Sequence, residues 1–238
     1  MDWVKQGGTL IANNRSTRSI ISNDIGSVKN LNNTFDKSKN FSFDLMREIY
    51  SKEEYIDISD VNVNIVSTEI TYPWETTDIT YSKEELEMRD KWQSTLMPSG
   101  GIVSARADNE HWLTFGTEDV VPVLYGNYPI LMTGGNSEAA LRIGELLPNK
   151  ESETKTINWS QIPSGYDLSV RMSGLVWPEA SQRIANSAYL TREKIGKGQI
   201  ILFSGEPNFR GSALGTNRLW LNAVVYGSGL GTNSLVTP

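Results

Sequence analysis

The chain has 238 residues, of which 38% are hydrophobic and 21% are charged, a composition typical of a folded domain and not of a disordered segment. Its net charge of -6 and its lack of a basic stripe argue against nucleic acid as a partner. The absence of cysteine excludes disulfides, thiolate metal ligands and cysteine nucleophiles. The sequence has no apolar run near the roughly 20 residues that cross a bilayer, and no signal-peptide pattern at its start.

The first 26 residues predict a short helix, a strand and a second helix. The segment "MDWVKQGG" resembles the last turn of a helix closed by Gly7 and Gly8. The strand "TLIANN" and the helix "RSTRSIISND" follow, and Gly26 ends the unit. Because a domain seldom begins on the final turn of a helix, we expect another segment to precede Met1 in the parent protein.

Residues 27–97 are polar and are predicted to form an insertion. Within them, "SFDLMREIY" and "SKEELEMRDKWQSTL" have helical spacing, and Ser82 with Glu85 matches a capping box at the start of the second helix. Between these two segments, "VNVNIVSTEI" alternates apolar and polar residues and predicts a strand with one solvated face.

After Gly100 the pattern changes to short strands separated by turns. The segments "GIVSARAD", "VVPVLYG" and "YPILMTG" predict strands, whereas "SEAALRIGELL" fits a helix or a strand. "SAYLTREKIGKGQIILFSG" predicts a hairpin that turns at residues 196–198, with its second arm covered on both faces. Strand, loop and helix at both ends of the chain favour a layered α/β sheet.

The C-terminal region predicts a buried helix followed by a free tail. Thr216 is expected to cap the helix "NRLWLNAVVYG", which is apolar nearly all round and is therefore expected to be buried. The glycine-rich "GSGLG" follows a helix instead of preceding one, so it is interpreted as a flexible tail and not as a phosphate-binding loop.

His111 is the only histidine, which limits the catalytic arrangements open to the chain. A catalytic zinc ion needs about three protein ligands, so one histidine without cysteine excludes zinc hydrolysis, and we expect no metal site. A lone histidine in a loop more often packs or hydrogen-bonds than catalyses. Serine catalysis through His111 would require Ser16, Ser99 or Ser204, and none lies in a G-x-S-x-G elbow.

Carboxylates, one loop arginine and the tryptophans are further candidates for functional residues. A glycosidase could use paired carboxylates, with Glu118 and Asp119 or Glu138 and Glu145 as the candidates. Arg210 lies in "GEPNFRGSALGT", a loop where it could clamp backbone carbonyls or bind an anionic ligand, and the clamp is favoured. A glycan-binding module stays open because the chain has 7 tryptophans, although most are expected in the core. Six of them spread along the sequence are Trp74, Trp92, Trp112, Trp159, Trp177 and Trp220.

Four segments together resemble a known family: "WVKQGGTLIANN", "PSGGIVSARADNEHWLTFG", "SGLVW" and "GKGQIILFSGEPNFRGSALGTNRLWLNAVVYG". They are similar to the class I glutamine amidotransferase-like domain that follows the peptidase domain in large bacterial zinc carboxypeptidase-like proteins of the carboxypeptidase A-like class. The resemblance covers about the first 25 residues and most of 98–231, whereas residues 27–97 fit poorly. It implies a flavodoxin-like or amidotransferase-like sheet in one domain, 1–238, that lacks its N-terminal strands and contains an insertion at about 27–97.

The resemblance also implies what the chain lacks. The family's nucleophile corner maps onto Ala12, Asn13 and Asn14, followed by Arg15, and the cysteine is missing there. The peptidase's His-x-x-Glu pair has no counterpart in the sequence. The implied function is a non-catalytic accessory domain without a cofactor, in a periplasmic or extracellular protein whose zinc lies in the peptidase domain. Its implied partners are that peptidase domain and the polypeptide substrate. The alternatives are a free-standing hydrolase using carboxylates or His111, and a glycan-binding module.

The sequence also makes a prediction about the surface around the strand "TLIANN". If it is central and its neighbouring strands are missing, an apolar patch beside residues 9–14 should be exposed, or covered by homodimerisation or by residues 27–97.

Overall fold

A computed structural model describes residues 1–31, 83–134, 136–148 and 166–232. The chain divides into two compact units, Met1–Phe35 with Met97–Pro238, and Asp36–Leu96. The second unit lies inside the range predicted as an insertion, and the interpretation as one interrupted domain stays a prediction. The predicted helix "SFDLMREIY", the predicted strand "VNVNIVSTEI" and the capping residue Ser82 lie outside the described residues.

The elements of the described residues largely follow the predicted ones. The helices are α1 (Asp2–Lys5), α2 (Asn14–Ser22), α3 (Lys83–Thr95), α4 (Pro178–Ile184) and α5 (Leu214–Tyr226), with 3-10 turns at Trp112–Thr114 and Phe209–Gly211. The strands are β1 (Thr9–Asn13), β2 (Lys29–Asn30), β3 (Gly101–Ala107), β4 (Val120–Tyr125), β5 (Leu131–Met132), β6 (Ser137–Ile143), β7 (Glu145–Pro148), β8 (Tyr166–Ser169), β9 (Arg171–Ser173), β10 (Ala188–Ile195) and β11 (Gly198–Phe203). The segment that fitted a helix or a strand therefore forms β6 and β7. Helix α3 belongs to the second unit.

The larger unit contains a mixed sheet with the strand order β1-β11-β10-β6-β3-β4. β2 and β5 pair with each other beside β10, and β9 pairs with β3. β1 and β11 run parallel, whereas the other strand pairs of this sheet are antiparallel. β7 and β8 form a separate antiparallel pair. The expected mixed α/β architecture is confirmed at this level, with a large sheet and few helices.

β11 separates two hydrophobic clusters. Ile201 and Phe203 pack in one cluster with Leu219 of α5, whereas Ile200 and Leu202 pack in the other with residues of α2. Because successive residues of a strand point to opposite faces, α2 and α5 cover opposite faces of the sheet. All six residues of β11 are buried, which confirms that this arm of the hairpin is covered on both faces.

The hairpin turns at Gly196 and Lys197, as predicted. Gly196 has a φ of +62°, and a Cβ placed there would lie 2.8 Å from the Lys5 carbonyl oxygen. A residue with a side chain would therefore be strained and would displace α1 from the turn.

The prediction for the closing helix is wrong in two respects. Helix α5 begins at Leu214, so Thr216 lies inside its first turn, and its hydroxyl donates to the Pro207 carbonyl at 2.5 Å instead of capping the helix. Leu221, Val224 and Val225 are more than half exposed. The reason is geometric: only one stripe of a helix can face a sheet, and apolar composition does not identify which residues form it.

The "GSGLG" segment is not a free tail. The Thr9 hydroxyl donates to the Gly227 carbonyl at 2.7 Å. The Gln199 amide donates to the carbonyls of Gly227 and Leu230, at 2.6 and 2.8 Å. The turn after α5 is therefore hydrogen-bonded to β1 and β11, and the flexible-tail prediction is wrong for these residues.

β1 lies at one end of the strand order and pairs only with β11 among the described residues. Trp3, which is 63% exposed, packs its indole against Gly8 immediately before this strand. Homodimerisation and coverage of β1 by residues 27–97 both stay predictions. Among the described residues, no helix has the length and apolarity to cross a membrane.

Candidate functional site

The junction between β1 and α2 is a corner without a loop. Asn13 ends the strand with an extended φ of -135°, and Asn14 begins the helix with a φ of +43°. Asparagine tolerates this left-handed region better than most residues with a side chain. We call Asn13, Asn14 and Arg15 the corner.

Two hydrogen bonds fix the corner to the segment around the end of β11. The Asn14 Nδ2 donates to Glu206 Oε1 at 3.0 Å, and the buried Thr17 hydroxyl donates to the Phe203 carbonyl at 2.7 Å. The two strands are parallel, so their carboxyl ends meet at one edge of the sheet. Arg15 and Ser16 are exposed beside it.

Three tyrosines lie near this edge, but none is prepared to ionise near neutral pH. Burial raises the pKa of Tyr125 to about 12 and also raises the pKa of Tyr189. Burial, followed by the negative charge of Glu206, raises the pKa of Tyr128. A tyrosinate base is therefore not available at the corner.

The two ring nitrogens of His111 face the Leu113 backbone and the Glu138 carboxylate. Its Nδ1 accepts a hydrogen bond from the Leu113 backbone N–H at 3.1 Å, which places the proton of the neutral ring on Nε2. Nε2 lies 3.4 Å from Glu138 Oε2, within ion-pair reach but outside hydrogen-bond alignment. Burial lowers the pKa of His111, although the charges of Glu138 and Asp108 act in the opposite direction.

The serine candidates do not join His111. The hydroxyl of Ser204 is buried and donates to the Pro129 carbonyl at 2.6 Å, whereas Ser16 and Ser99 are exposed. In a catalytic triad, one histidine nitrogen binds an acid and the other faces the nucleophile. Here Leu113 occupies the second nitrogen, which leaves no place for a serine hydroxyl.

Glu138 belongs to a second polar group, at the hairpin-turn end of β10 and β11. Arg192 donates to Glu138 Oε2 at 3.0 Å, to Gln199 Oε1 at 2.9 Å and to the Gly231 carbonyl at 2.8 Å. Along β11, Gln199 lies four residues before Phe203. At about 3.3 Å per residue, it is about 13 Å from the carboxyl end of the strand, where the corner lies. Sequence reasoning missed this group, although a glutamine in the apolar run "QIILF" was a signal for it.

The carboxylate pairs proposed from the sequence have separate surroundings. Asp119 accepts a hydrogen bond from Asn109 at 2.8 Å, and both it and Glu118 are exposed. Glu138 is bound to Arg192, whereas Glu145 lies on β7.

Arg210 lies on the long connection between β11 and α5. Its backbone has a φ of +51°, and its exposed guanidinium lies 5.1 Å from the centre of the Phe209 ring. The loop carbonyls of Pro207, Phe209 and Gly211 accept hydrogen bonds from the side chains of Thr216, Ser212 and Asn217. A role for Arg210 as a clamp or an anion ligand stays a prediction.

Comparisons with protein-family models, with curated proteins and with solved structures found no significant match to this chain. In the part of the chain that the structure describes, no three histidine, aspartate or glutamate side chains are grouped so that they could hold a metal ion.

Proposed function

We propose that the chain is a non-catalytic accessory domain of a zinc carboxypeptidase-like protein. It would support the peptidase domain or help to recognise the polypeptide substrate, while the zinc and the catalytic residues belong to the parent. The observation that carries this proposal is the corner. Asn14 has the left-handed backbone of a sharp strand-to-helix turn, but its side chain is a non-nucleophilic amide bonded to Glu206.

The finer fold assignment, a flavodoxin-like or amidotransferase-like sheet, is part of the same proposal. It is supported by the parallel pairing of β1 with β11, and by the position of α2 and α5 on opposite faces of that pair. We also propose a periplasmic or extracellular location and contact with an upstream peptidase domain. Homodimerisation of the chain through the β1 edge is an alternative contact.

The surroundings of His111 argue against the rival hydrolase. One nitrogen accepts from Leu113, the other faces a carboxylate that Arg192 already binds, and burial lowers the pKa of the ring. A base in this position has no free lone pair to accept a proton from water or from a hydroxyl.

The test is to assay the purified 238-residue chain for zinc binding by calorimetry, and for hydrolysis of a mixed peptide library by mass spectrometry. We expect neither stoichiometric zinc binding nor cleavage above a heat-denatured control. Either activity in the isolated chain would overturn the proposal. Independently, the upstream genomic sequence is expected to encode a His-x-x-Glu motif and a later histidine.

A glycan-binding module is the second candidate, favoured by one surface feature. Trp177 is 48% exposed and lies near Leu175 and Met172 in sequence, which are also exposed. An exposed indole can stack on a sugar ring. Binding on a glycan array that is lost in Trp177→Ala but kept in Trp3→Ala would support this function, and an array without signal would reject it.

A further inference from the structure

A polar cavity of about 560 Å³ opens at the hairpin-turn end of β10. Its lining residues, which define the Lys194 pocket, are Asn136, Ser137, Glu138, Arg192, Lys194 and Gly196. The volume is within the range of small-ligand sites, and no aliphatic or aromatic residue lines it. These features suit a small polar ligand.

The hydrogen-bond donors of the Lys194 pocket are only partly used. Lys194 lies two residues from Arg192 on the same strand, so both side chains lie on one face. The Lys194 ammonium forms neither a hydrogen bond nor an ion pair with the described residues. Arg192 uses three of its five N–H groups, on Glu138, Gln199 and Gly231, and these contacts fix its guanidinium in place.

Two acceptors of the pocket, in contrast, already have partners. The Glu138 carboxylate binds Arg192 and faces His111. The Ser137 hydroxyl accepts from the Gly134 N–H at 2.9 Å and donates to the Gly134 carbonyl at 2.7 Å. With two cationic side chains and one carboxylate, the lining carries excess positive charge in a chain whose net charge is -6. This excess of positive charge favours a ligand that supplies acceptors and negative charge.

We propose that the Lys194 pocket binds an oxyanion, either a carboxylate or a phosphate group of a small ligand. The Lys194 ammonium neutralises the ligand, and the two remaining N–H groups of Arg192 orient its oxygens. This inference goes beyond the accessory function and does not depend on it.

The experiment titrates succinate and inorganic phosphate separately into the purified chain by calorimetry, with sodium chloride at matched ionic strength as the blank. We expect Lys194→Gln to weaken binding by about tenfold or more, because it removes a charge-assisted hydrogen bond. Lys197→Gln is the matched control, since this exposed lysine of the same hairpin turn does not line the pocket. It should bind like the unmodified chain.

The two anions identify the source of the oxyanion: tighter binding of succinate indicates a carboxylate ligand, and tighter binding of phosphate a phosphorylated one. The proposal is overturned if neither anion binds above the chloride blank, or if Lys197→Gln weakens binding as much as Lys194→Gln. If Lys194→Gln lowers the melting temperature, Lys194→Arg must keep both the fold and the binding, and loss of binding in that folded variant would also overturn the proposal.

Discussion

The two ends of β11 are stabilised by different chemistry. At its carboxyl end, uncharged donors of α2 bind the strand end and the residues after it. The Thr17 hydroxyl donates to a backbone carbonyl, and the Asn14 amide donates to Glu206. At its other end, Arg192 and Gln199 connect the sheet to the turn after α5, beside a charged cavity.

The carboxyl end of β11 is therefore suited to a structural role, and its other end to ligand binding. A buried hydroxyl on a carbonyl does not titrate and is insensitive to salt. Charged groups near solvent respond to pH, ionic strength and added anions. We therefore expect substitution of Thr17 to change stability alone, and substitutions around Arg192 to change the response to solution conditions as well.

The largest expected effect is that of Gln199→Leu. This fully buried side chain donates to the carbonyls of Gly227 and Leu230 and accepts from Arg192. The leucine removes these three hydrogen bonds at a buried position, so we expect a loss of about 3 kcal/mol in the free energy of unfolding, measured by urea denaturation. Gln6→Leu, the same change at an exposed position, should stay within about 0.5 kcal/mol. Equal effects of the two variants would show that Gln199 does not anchor the turn.

In the first turns of α2, beside the corner, Thr17→Val is expected to cost about 1–2 kcal/mol, because the buried Phe203 carbonyl loses its side-chain donor while the volume is conserved. The neighbouring exposed residue gives the control, Ser16→Ala, which should have little effect. The loss should be the same in low and high salt. A loss that depends strongly on salt would contradict the distinction between the two ends.

Local patterns were sufficient to predict several elements of this fold. Alternation and turn residues located the hairpin, and the apolar run identified β11 as buried on both faces. Each of these features depends on residues adjacent in sequence, so periodicity and backbone preference contain the information.

Features that depend on distant partners could not be predicted in this way. Gln199 binds the turn after α5, 28 residues away, and Thr17 binds the end of β11, 186 residues away. The contact between His111 and Glu138 joins a loop to a strand. No local pattern encodes such pairings, which is why the "GSGLG" segment was interpreted as a tail and the polar group around Arg192 was missed.

The strain at the corner can be measured with two substitutions at one position. Asn14→Ala loses the bond to Glu206 and keeps a side chain at a φ of +43°, whereas Asn14→Gly loses the bond and relieves the strain. We expect the alanine variant to be less stable than the glycine variant by about 1 kcal/mol, measured by thermal denaturation. If alanine were at least as stable as glycine, the left-handed backbone would not limit the residues tolerated at the corner.

The smallest expected effect is the pH dependence contributed by His111. Burial lowers its pKa below the ordinary value of 6.5, while Glu138 and Asp108 oppose the shift and Arg192 adds to it. A lowered pKa means that the unfolded chain binds the proton more readily than the folded one. The contribution of neutral His111 to the free energy of unfolding is therefore complete above about pH 6.5. It is lost as the pH falls through the lower folded-state pKa.

His111→Asn removes this titration while leaving a side-chain oxygen that can accept from the Leu113 N–H. Melting temperatures measured between pH 8 and pH 5 should thus fall more steeply for the unmodified chain than for the asparagine variant, with the curves diverging below about pH 6.5. Parallel curves would mean that Glu138 and Asp108 fully offset the burial of the ring. A steeper fall in the variant would mean that these carboxylates outweigh burial, and His111 would then stabilise the charged end of the sheet as a cation.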